Sequence, residues 1–145
     1  MAARSSAEVD FPDGTTVTAS PLSVQKARRA RFDYGLYMHE GWDPPWDHEW
    51  IDWPDFGLPR DGKQASGQIL RAFDRARSGE RVEIGCEGGL GRTGTVLACM
   101  AILAGVAADE AVDWVHAHYD ARAVETDDQA AWVNWFGRRV RSADA

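Results

Sequence analysis

Cysteine is scarce in this sequence of 145 residues, which contains only Cys86 and Cys99. Two cysteines do not make the disulfide framework of a small secreted protein. The sequence also lacks any clustering of Cys and His with the spacing of a metal site. We therefore expect no metal, no cofactor and a reducing compartment.

Long apolar runs and an excess of positive charge are missing as well. The longest uncharged run, residues 93–108, is shorter than the roughly 20 residues that span a bilayer, and the first ten residues lack the apolar stretch of a signal peptide. We therefore expect a cytoplasmic protein with no membrane partner. The 16 Lys and Arg are outnumbered by 23 Asp and Glu, for a net charge of −7. Because nucleic acids are usually met by a basic face, no nucleic-acid partner is expected, and any phosphate must be bound by a local pocket of opposite sign.

The length and the 44% hydrophobic content predict one globular domain over residues 9–145, after a flexible tail at residues 1–8. Alternating apolar positions predict two strands around the turn at residues 12–14, and further strands at 34–38 and 81–86. Helices are expected over 21–31, 61–79, 96–105, 112–119 and 126–140, whereas residues 40–53 read as a loop. Together these elements predict an α/β fold with a small central, mostly parallel sheet of about four to five strands flanked by helices.

A glycine-rich segment, CEGGLGRTGT at residues 86–95, lies between a predicted strand and a predicted buried helix. The first amides of a helix have no partner within it and the helix dipole there favours negative charge, so such a segment is suited to an anion. The residues expected to surround a phosphate are Glu87, Gly88, Gly89, Leu90, Gly91 and Arg92.

Three motifs compete for this segment. Residues 89–94 match the dinucleotide pattern G-x-G-x-x-G, but the second strand and the ribose-binding acid that should follow are missing. A Walker A loop would need glycine in place of Cys86 and lysine in place of Arg92. The third is Cys-x5-Arg-Thr, the loop of cysteine-dependent phosphatases.

Each residue of the third motif has a chemical task. Cys86 would be a thiolate nucleophile, stabilised by the helix dipole, the loop amides and Arg92. The planar guanidinium of Arg92 would grip two phosphoryl oxygens, and the Thr93 hydroxyl would donate to the sulfur as it leaves. The alternative is an inert buried thiol at Cys86 beside a solvated Arg92. Cys99, in the middle of an apolar helix, is interpreted as an inert thiol.

A second string, WPDFGLP at residues 53–59, sits upstream of the glycine-rich segment. The two strings together resemble the paired signatures of the protein-tyrosine-phosphatase superfamily, and the chain length resembles its compact dual-specificity-like branch. The resemblance implies a metal-independent phosphomonoesterase that forms a cysteinyl-phosphate, with Asp55 as general acid and then general base. Its substrate would be a phosphorylated protein or a small phosphomonoester. Seen alone, Asp55 would be a Pro-Asp turn.

Gln129 has two interpretations of equal weight. The resemblance implies a glutamine that orients the attacking water, and the stretch before Gln129 resembles that element. The spacing of Thr126 and Gln129 is also that of a helix capping box.

Two positions depart from the family pattern, which usually has His before the cysteine. Gly85 stands in that place, and Glu87 adds a negative charge directly after the nucleophile, which would repel dianions. These departures motivate a second hypothesis, a phosphate-binding pseudo-phosphatase with little turnover. A phosphatase of small metabolites or inositol phosphates is a further alternative, disfavoured because no extra basic cluster accompanies the loop.

The remaining aromatic and histidine residues have structural interpretations. The cluster Trp42, Trp46 and Trp50 could wall an aromatic-binding pocket, although packing of a long loop is favoured. His116 is expected in the stripe of a helix. The other histidines, His39, His48 and His118, are expected at the surface.

Overall fold

The computed structural model describes residues 6–27, 31–41, 43–88 and 90–144. Trp42 and Gly89, for which the sequence predicts roles, lie outside the described residues, as does most of the predicted tail.

A five-stranded sheet forms the centre of the fold, with strand order β1-β2-β5-β3-β4. The strands are β1 (Ala7–Asp10), β2 (Thr16–Pro21), β3 (Tyr34–Tyr37), β4 (Asp47–Trp50) and β5 (Val82–Cys86). β1 pairs with β2 in antiparallel orientation and the other three pairs are parallel. The predicted α/β fold with a mostly parallel sheet is confirmed.

The central strand β5 is buried along its whole length, as expected for a parallel strand covered on both faces. Its register aligns Cys86 with Pro21 of β2, and aligns the preceding Gly85 with Tyr37 of β3. The carboxyl ends of three parallel strands therefore meet at one edge of the sheet. Ligands in open α/β sheets bind at such an edge.

Among the described residues, five helices and one 3₁₀ turn at Ala108–Glu110 accompany the sheet. They are α1 (Leu22–Ala27), α2 (Gly62–Arg77), α3 (Gly91–Leu103), α4 (Ala111–His118) and α5 (Asp127–Asp144). Helix α3 contacts β5, α2, α4 and α5, and its residues 91–101 are buried. The apolar, all-round helix that the sequence predicts is thus the core of the fold. No helix in the described ranges has the combination of length and apolarity that crossing a membrane requires.

The helix boundaries follow signals in the sequence. The Asp61 carboxylate accepts a hydrogen bond from the amide of Gln64 (3.0 Å), which confirms the predicted start of α2. Beyond the ends of α2 and α3 come Gly79 and Gly105, with φ of +99° and +110°. Glycine adopts this left-handed conformation without a Cβ penalty and therefore ends helices readily.

Three boundaries were predicted incorrectly. Strand β1 begins at Ala7, so residues 7 and 8 of the predicted tail belong to the sheet instead. The predicted helix 21–31 is described as helical only over Leu22–Ala27, and Arg31 lies outside any helix. The stretch 40–53 contains β4, which has polar residues at three of its four positions because it is a sheet edge that pairs with β3 alone. Charged edge strands are common because they discourage pairing with another chain.

Candidate active site

Cys86 ends β5 and is followed by the 87–90 loop, after which α3 begins at Gly91. The thiol is 2% exposed. The Thr93 hydroxyl donates a hydrogen bond to the Cys86 sulfur at 3.0 Å, as the sequence predicts. Because Thr93 belongs to the first turn of α3, this bond fixes the sulfur near the end of the helix where the amides have no intrahelical partner.

Arg92 is buried rather than solvated, with 4% of its surface exposed. One terminal nitrogen, Nη1, donates to the carbonyl oxygens of Met38 (2.8 Å) and Trp53 (3.0 Å). The Nε–H has no hydrogen-bond partner among the described residues. A buried donor without a partner costs about 1–3 kcal/mol. Two carbonyl oxygens therefore hold the guanidinium at Nη1. The side formed by Nε and Nη2 is suited to a bidentate acceptor.

Residues 53–59, here called the acidic loop, place Asp55 over this guanidinium. The Trp53 indole donates to the carbonyl of Gly57 (2.8 Å), and the Gly57 amide donates to the carbonyl of Pro54 (3.0 Å). These bonds fold the loop upon itself. An Asp55 carboxylate oxygen lies 3.6 Å from Nη2 of Arg92.

A cavity of about 350 Å³ lies at this edge of the sheet. Of the residues predicted to act there, it is lined by Asp55, Glu87 and Arg92. Cys86, Thr93 and the loop residues Gly88, Leu90 and Gly91 are not among its lining residues.

Gln25 of α1 occupies the space beside Gly85. Its amide donates to the carbonyl of Ser20 (2.7 Å) and approaches the carbonyl of Cys86 (3.5 Å). A Cβ atom at Gly85 would overlap the Gln25 amide and would lie 2.7 Å from the Ser20 carbonyl. Glycine at this position is therefore required by the packing of Gln25, a residue that sequence reasoning missed because nothing in its neighbourhood marks it.

His39 is 6% exposed and lines the cavity, so its predicted surface position is wrong. Its Nδ1 accepts a hydrogen bond from the Gly41 amide (2.9 Å), which leaves Nε2 to donate to the Gln25 amide oxygen (3.0 Å). The lack of ligand spacing around His39 concealed its role, because its partners come from α1 and from the backbone. His118 is exposed, as predicted.

Gln129 caps a helix and contacts the acidic loop at the same time. Its backbone N–H donates to the Thr126 hydroxyl (3.0 Å), which confirms the predicted cap of α5. Its side chain is fully buried, accepts from the Glu125 amide (2.9 Å) and donates to the carbonyl of Gly57 (3.2 Å). The oxygen and the nitrogen of the Gln129 side-chain amide therefore both have protein partners. The predicted role of Gln129 in orienting the attacking water stays a prediction.

Two tryptophans of the predicted cluster have different environments. Trp46 donates to the Tyr37 hydroxyl (3.1 Å) and packs edge-on against Phe32, which confirms a packing role. Trp50 is 45% exposed and lines the cavity, so the favoured packing role does not hold there, and binding of an aromatic group stays a prediction. Cys99 is fully buried in α3, and this burial raises its pKa well above the usual range, as expected for an inert thiol.

A second group of titratable residues lies at the edge of the sheet. Arg71 donates to both carboxylate oxygens of Glu49 (2.9 and 2.7 Å). These bonds lower the pKa of Glu49, whereas burial, assisted by a hydrogen bond to Glu49, raises the pKa of Tyr34. Within the described ranges, no three His, Cys, Asp or Glu residues are grouped as a metal site would need.

The family model described as "PTP-SAK: Swiss Army Knife protein, DSP-PTPase phosphatase domain" matches residues 56–132, which is more than half of the chain. The chain belongs to this phosphatase family. The matched part of the DSP-PTPase domain includes Cys86, Arg92 and Gln129, and it begins one residue after Asp55. No curated protein matches the chain by sequence comparison.

Solved structures of phosphatases share this fold. Tk-PTP in the active form is 26% identical, with 90% of this chain and 97% of Tk-PTP covered and a TM-score of 0.68. A kinase associated phosphatase with serine in place of its catalytic cysteine is 13% identical, with 98% of both chains covered and a TM-score of 0.76. PTPMT1 in complex with PI(5)P is 12% identical, with coverage of 89% and 94% and a TM-score of 0.66. The compact dual-specificity-like phosphatase fold is confirmed.

Proposed function

We propose that this domain is a metal-independent phosphomonoesterase that works through a cysteinyl-phosphate on Cys86. The observation that carries the proposal is the buried Arg92 guanidinium, whose Nε–H has no partner among the described residues and whose Nη2 faces Asp55 at 3.6 Å. A phosphoryl group bound by this side would lie beside Asp55, the proposed acid. Planar bidentate binding of this kind suits phosphate.

In the first step the Cys86 thiolate attacks phosphorus, and a new P–S bond forms as the P–O ester bond breaks. Protonated Asp55 gives its proton to the departing alkoxide or phenolate oxygen. In the second step a water attacks the cysteinyl-phosphate and loses a proton to the Asp55 carboxylate. The P–S bond breaks, inorganic phosphate forms, and the Thr93 hydroxyl stabilises the sulfur as it leaves as a thiolate. Gln129 supports Asp55 through its contact with the acidic loop.

Hydrolysis of an aryl phosphate in the presence of a chelator tests this function. Wild type should release the phenol with a burst equal to the enzyme concentration and then phosphate at the steady-state rate, whereas Cys86→Ser should release neither. Cys99→Ala, which alters the other cysteine, should retain turnover. Asp55→Ala should lose about 100-fold to 10,000-fold in kcat, the usual contribution of a general acid. Equal rates for Cys86→Ser and wild type would disprove the mechanism.

A phosphate-binding domain without turnover is the second candidate, favoured by the exposed Glu87 that lines the cavity. Binding of a phosphotyrosine peptide without phosphate release, restored to turnover by Glu87→Ala, would support it. A stoichiometric burst by wild type would exclude it.

A further inference from the structure

Acidic residues, here called the acidic rim, line the cavity although its proposed ligand is an anion. Four carboxylates line the cavity, from Glu40, Asp52, Asp55 and Glu87. Arg92 is the only Lys or Arg among its described lining residues. The buried Arg92 side, with its Nε–H unpartnered by any described residue, points to a phosphate ligand independently of this acidic rim.

The rim carboxylates lie on segments that follow three neighbouring strands. Glu40 follows β3, Asp52 follows β4 and Glu87 follows β5. Asp55 lies on the same segment as Asp52. Negative charge is thus contributed by three separate segments.

Most of this charge is not neutralised. Glu40 and Glu87 are exposed and form no ion pair with a described residue. Asp52 pairs with Arg60 at 3.0 Å, but both side chains are more than half exposed, and water screens such a pair strongly. The described residues that line the cavity therefore carry a net negative charge.

Apolar surface accompanies the acidic rim. Trp50, Ile51 and Trp53 line the cavity, and Trp50 is 45% exposed. Phe56, which follows Asp55 directly, is 62% exposed. An aromatic phosphoester has apolar faces to pack on these side chains, whereas a ligand with several phosphates would bring negative charge against the rim.

We propose that the acidic rim selects phosphotyrosine in a basic stretch of polypeptide, with Lys or Arg on both sides of the phosphorylated residue. This inference rests on the proposed function, and it names the substrate class of the same site. Flanking cations within about 8 Å of rim carboxylates fall inside one Debye length at physiological salt. Each such pair should change binding by roughly twofold at the dielectric of an exposed surface.

The test compares kcat/KM for three phosphotyrosine peptides that differ only in their flanks, which are Lys/Arg, Ser/Ala or Asp/Glu. The basic peptide should exceed the acidic one by about tenfold at low salt, and the ratio should approach one as salt rises to about 500 mM. Glu40→Gln combined with Glu87→Gln should reduce the ratio about threefold. The control combines Asp109→Asn with Glu110→Gln, in the 3₁₀ turn beyond the far end of α3, and should leave the ratio unchanged.

The outcomes separate the two proposals. The basic substrate class would be overturned if the kcat/KM values of all three peptides lay within twofold of one another. It would also be overturned if the Gln variants left the ratio of basic to acidic peptide unchanged. The phosphatase function would stand in both cases. Faster hydrolysis of a soluble inositol polyphosphate than of the basic peptide would also overturn it. If neither aryl phosphate nor peptide is hydrolysed, the proposed function fails. In that case peptide binding measured by fluorescence tests whether the acidic rim selects basic peptides. Tighter binding of the basic peptide supports this selection, and equal binding of the basic and acidic peptides refutes it.

Discussion

Replacement of Gln25 by methionine tests how the end of β5 is positioned without the histidine that the family pattern would place before the nucleophile. Methionine has nearly the same length and volume but cannot form the hydrogen bonds to the Ser20 carbonyl (2.7 Å) and to His39 (3.0 Å). The 3.5 Å approach to the Cys86 carbonyl is at the limit of a hydrogen bond and contributes little.

The size of the effect follows from these two bonds. Loss of the bond to Ser20 removes about 1 kcal/mol, and a buried His39 N–H left without its acceptor costs about 1–3 kcal/mol. We therefore expect Gln25→Met to lower the free energy of unfolding by about 2–4 kcal/mol. At about 3 °C per kcal/mol for a domain of this size, Tm should fall by about 6–12 °C.

Activity should fall for a separate reason. Because Gln25 contacts the strand that carries Cys86, its loss allows the sulfur to shift relative to Arg92, and small misplacements of reacting groups are costly. We expect kcat/KM for an aryl phosphate to drop by about tenfold to a hundredfold at a temperature where the variant is fully folded.

Urea unfolding and aryl phosphate kinetics on the same preparations measure both effects. Ser66→Ala is the control, because Ser66 is also buried and accepts a hydrogen bond from Arg139 (3.0 Å) on the side of α2 that packs near α5. It should lose stability and keep its kcat/KM. If Gln25→Met lost stability but kept kcat/KM within twofold of wild type, Gln25 would have no part in positioning Cys86.

Three further substitutions address other parts of the fold. Thr126→Ala removes the acceptor that caps α5, so urea unfolding should show a free energy of unfolding lower by about 1 kcal/mol, with kcat unchanged. A large loss of kcat would mean that the cap also orients Gln129 for catalysis. Arg71→Met removes the bonds that lower the pKa of Glu49, so the variant should be less stable than wild type at neutral pH. This difference in the free energy of unfolding should shrink as pH falls below about 4.3. A difference independent of pH would contradict this linkage. Phe56 has φ of 58°, so Phe56→Gly should be more stable than Phe56→Ala by about 1 kcal/mol in thermal unfolding, and the reverse order would show that the left-handed backbone is not strained.

Much of the fold could be predicted because its signals are local. The Asp61 cap, the left-handed Gly79 and Gly105, and the apolar run of α3 act within a few residues of each other. Strand β4 could not be predicted in this way. Its polar sequence forms a strand only because β3 offers it a parallel edge, and the pattern of β4 carries no trace of that partner.

The residues of the candidate site likewise divide into those with a local sequence signal and those without one. The string at 86–95 points to Cys86 and Arg92 by its own spacing, and the string at 53–59 points to Asp55 through its family resemblance. Gln25 and His39 carry no such signal, because each acquires its role from a partner on another element.

The sequence by itself determined the α/β class, the two loops and the chemistry of their side chains, because backbone preferences and motif spacing operate over short stretches of chain. Only the tertiary structure decided that Gly85 makes room for Gln25, that Arg92 is buried with its Nε–H unpartnered by any described residue, and that the rim is acidic. These features depend on residues far apart in the chain that meet where the parallel strands end. Contact of that kind is set by packing, which no local pattern encodes.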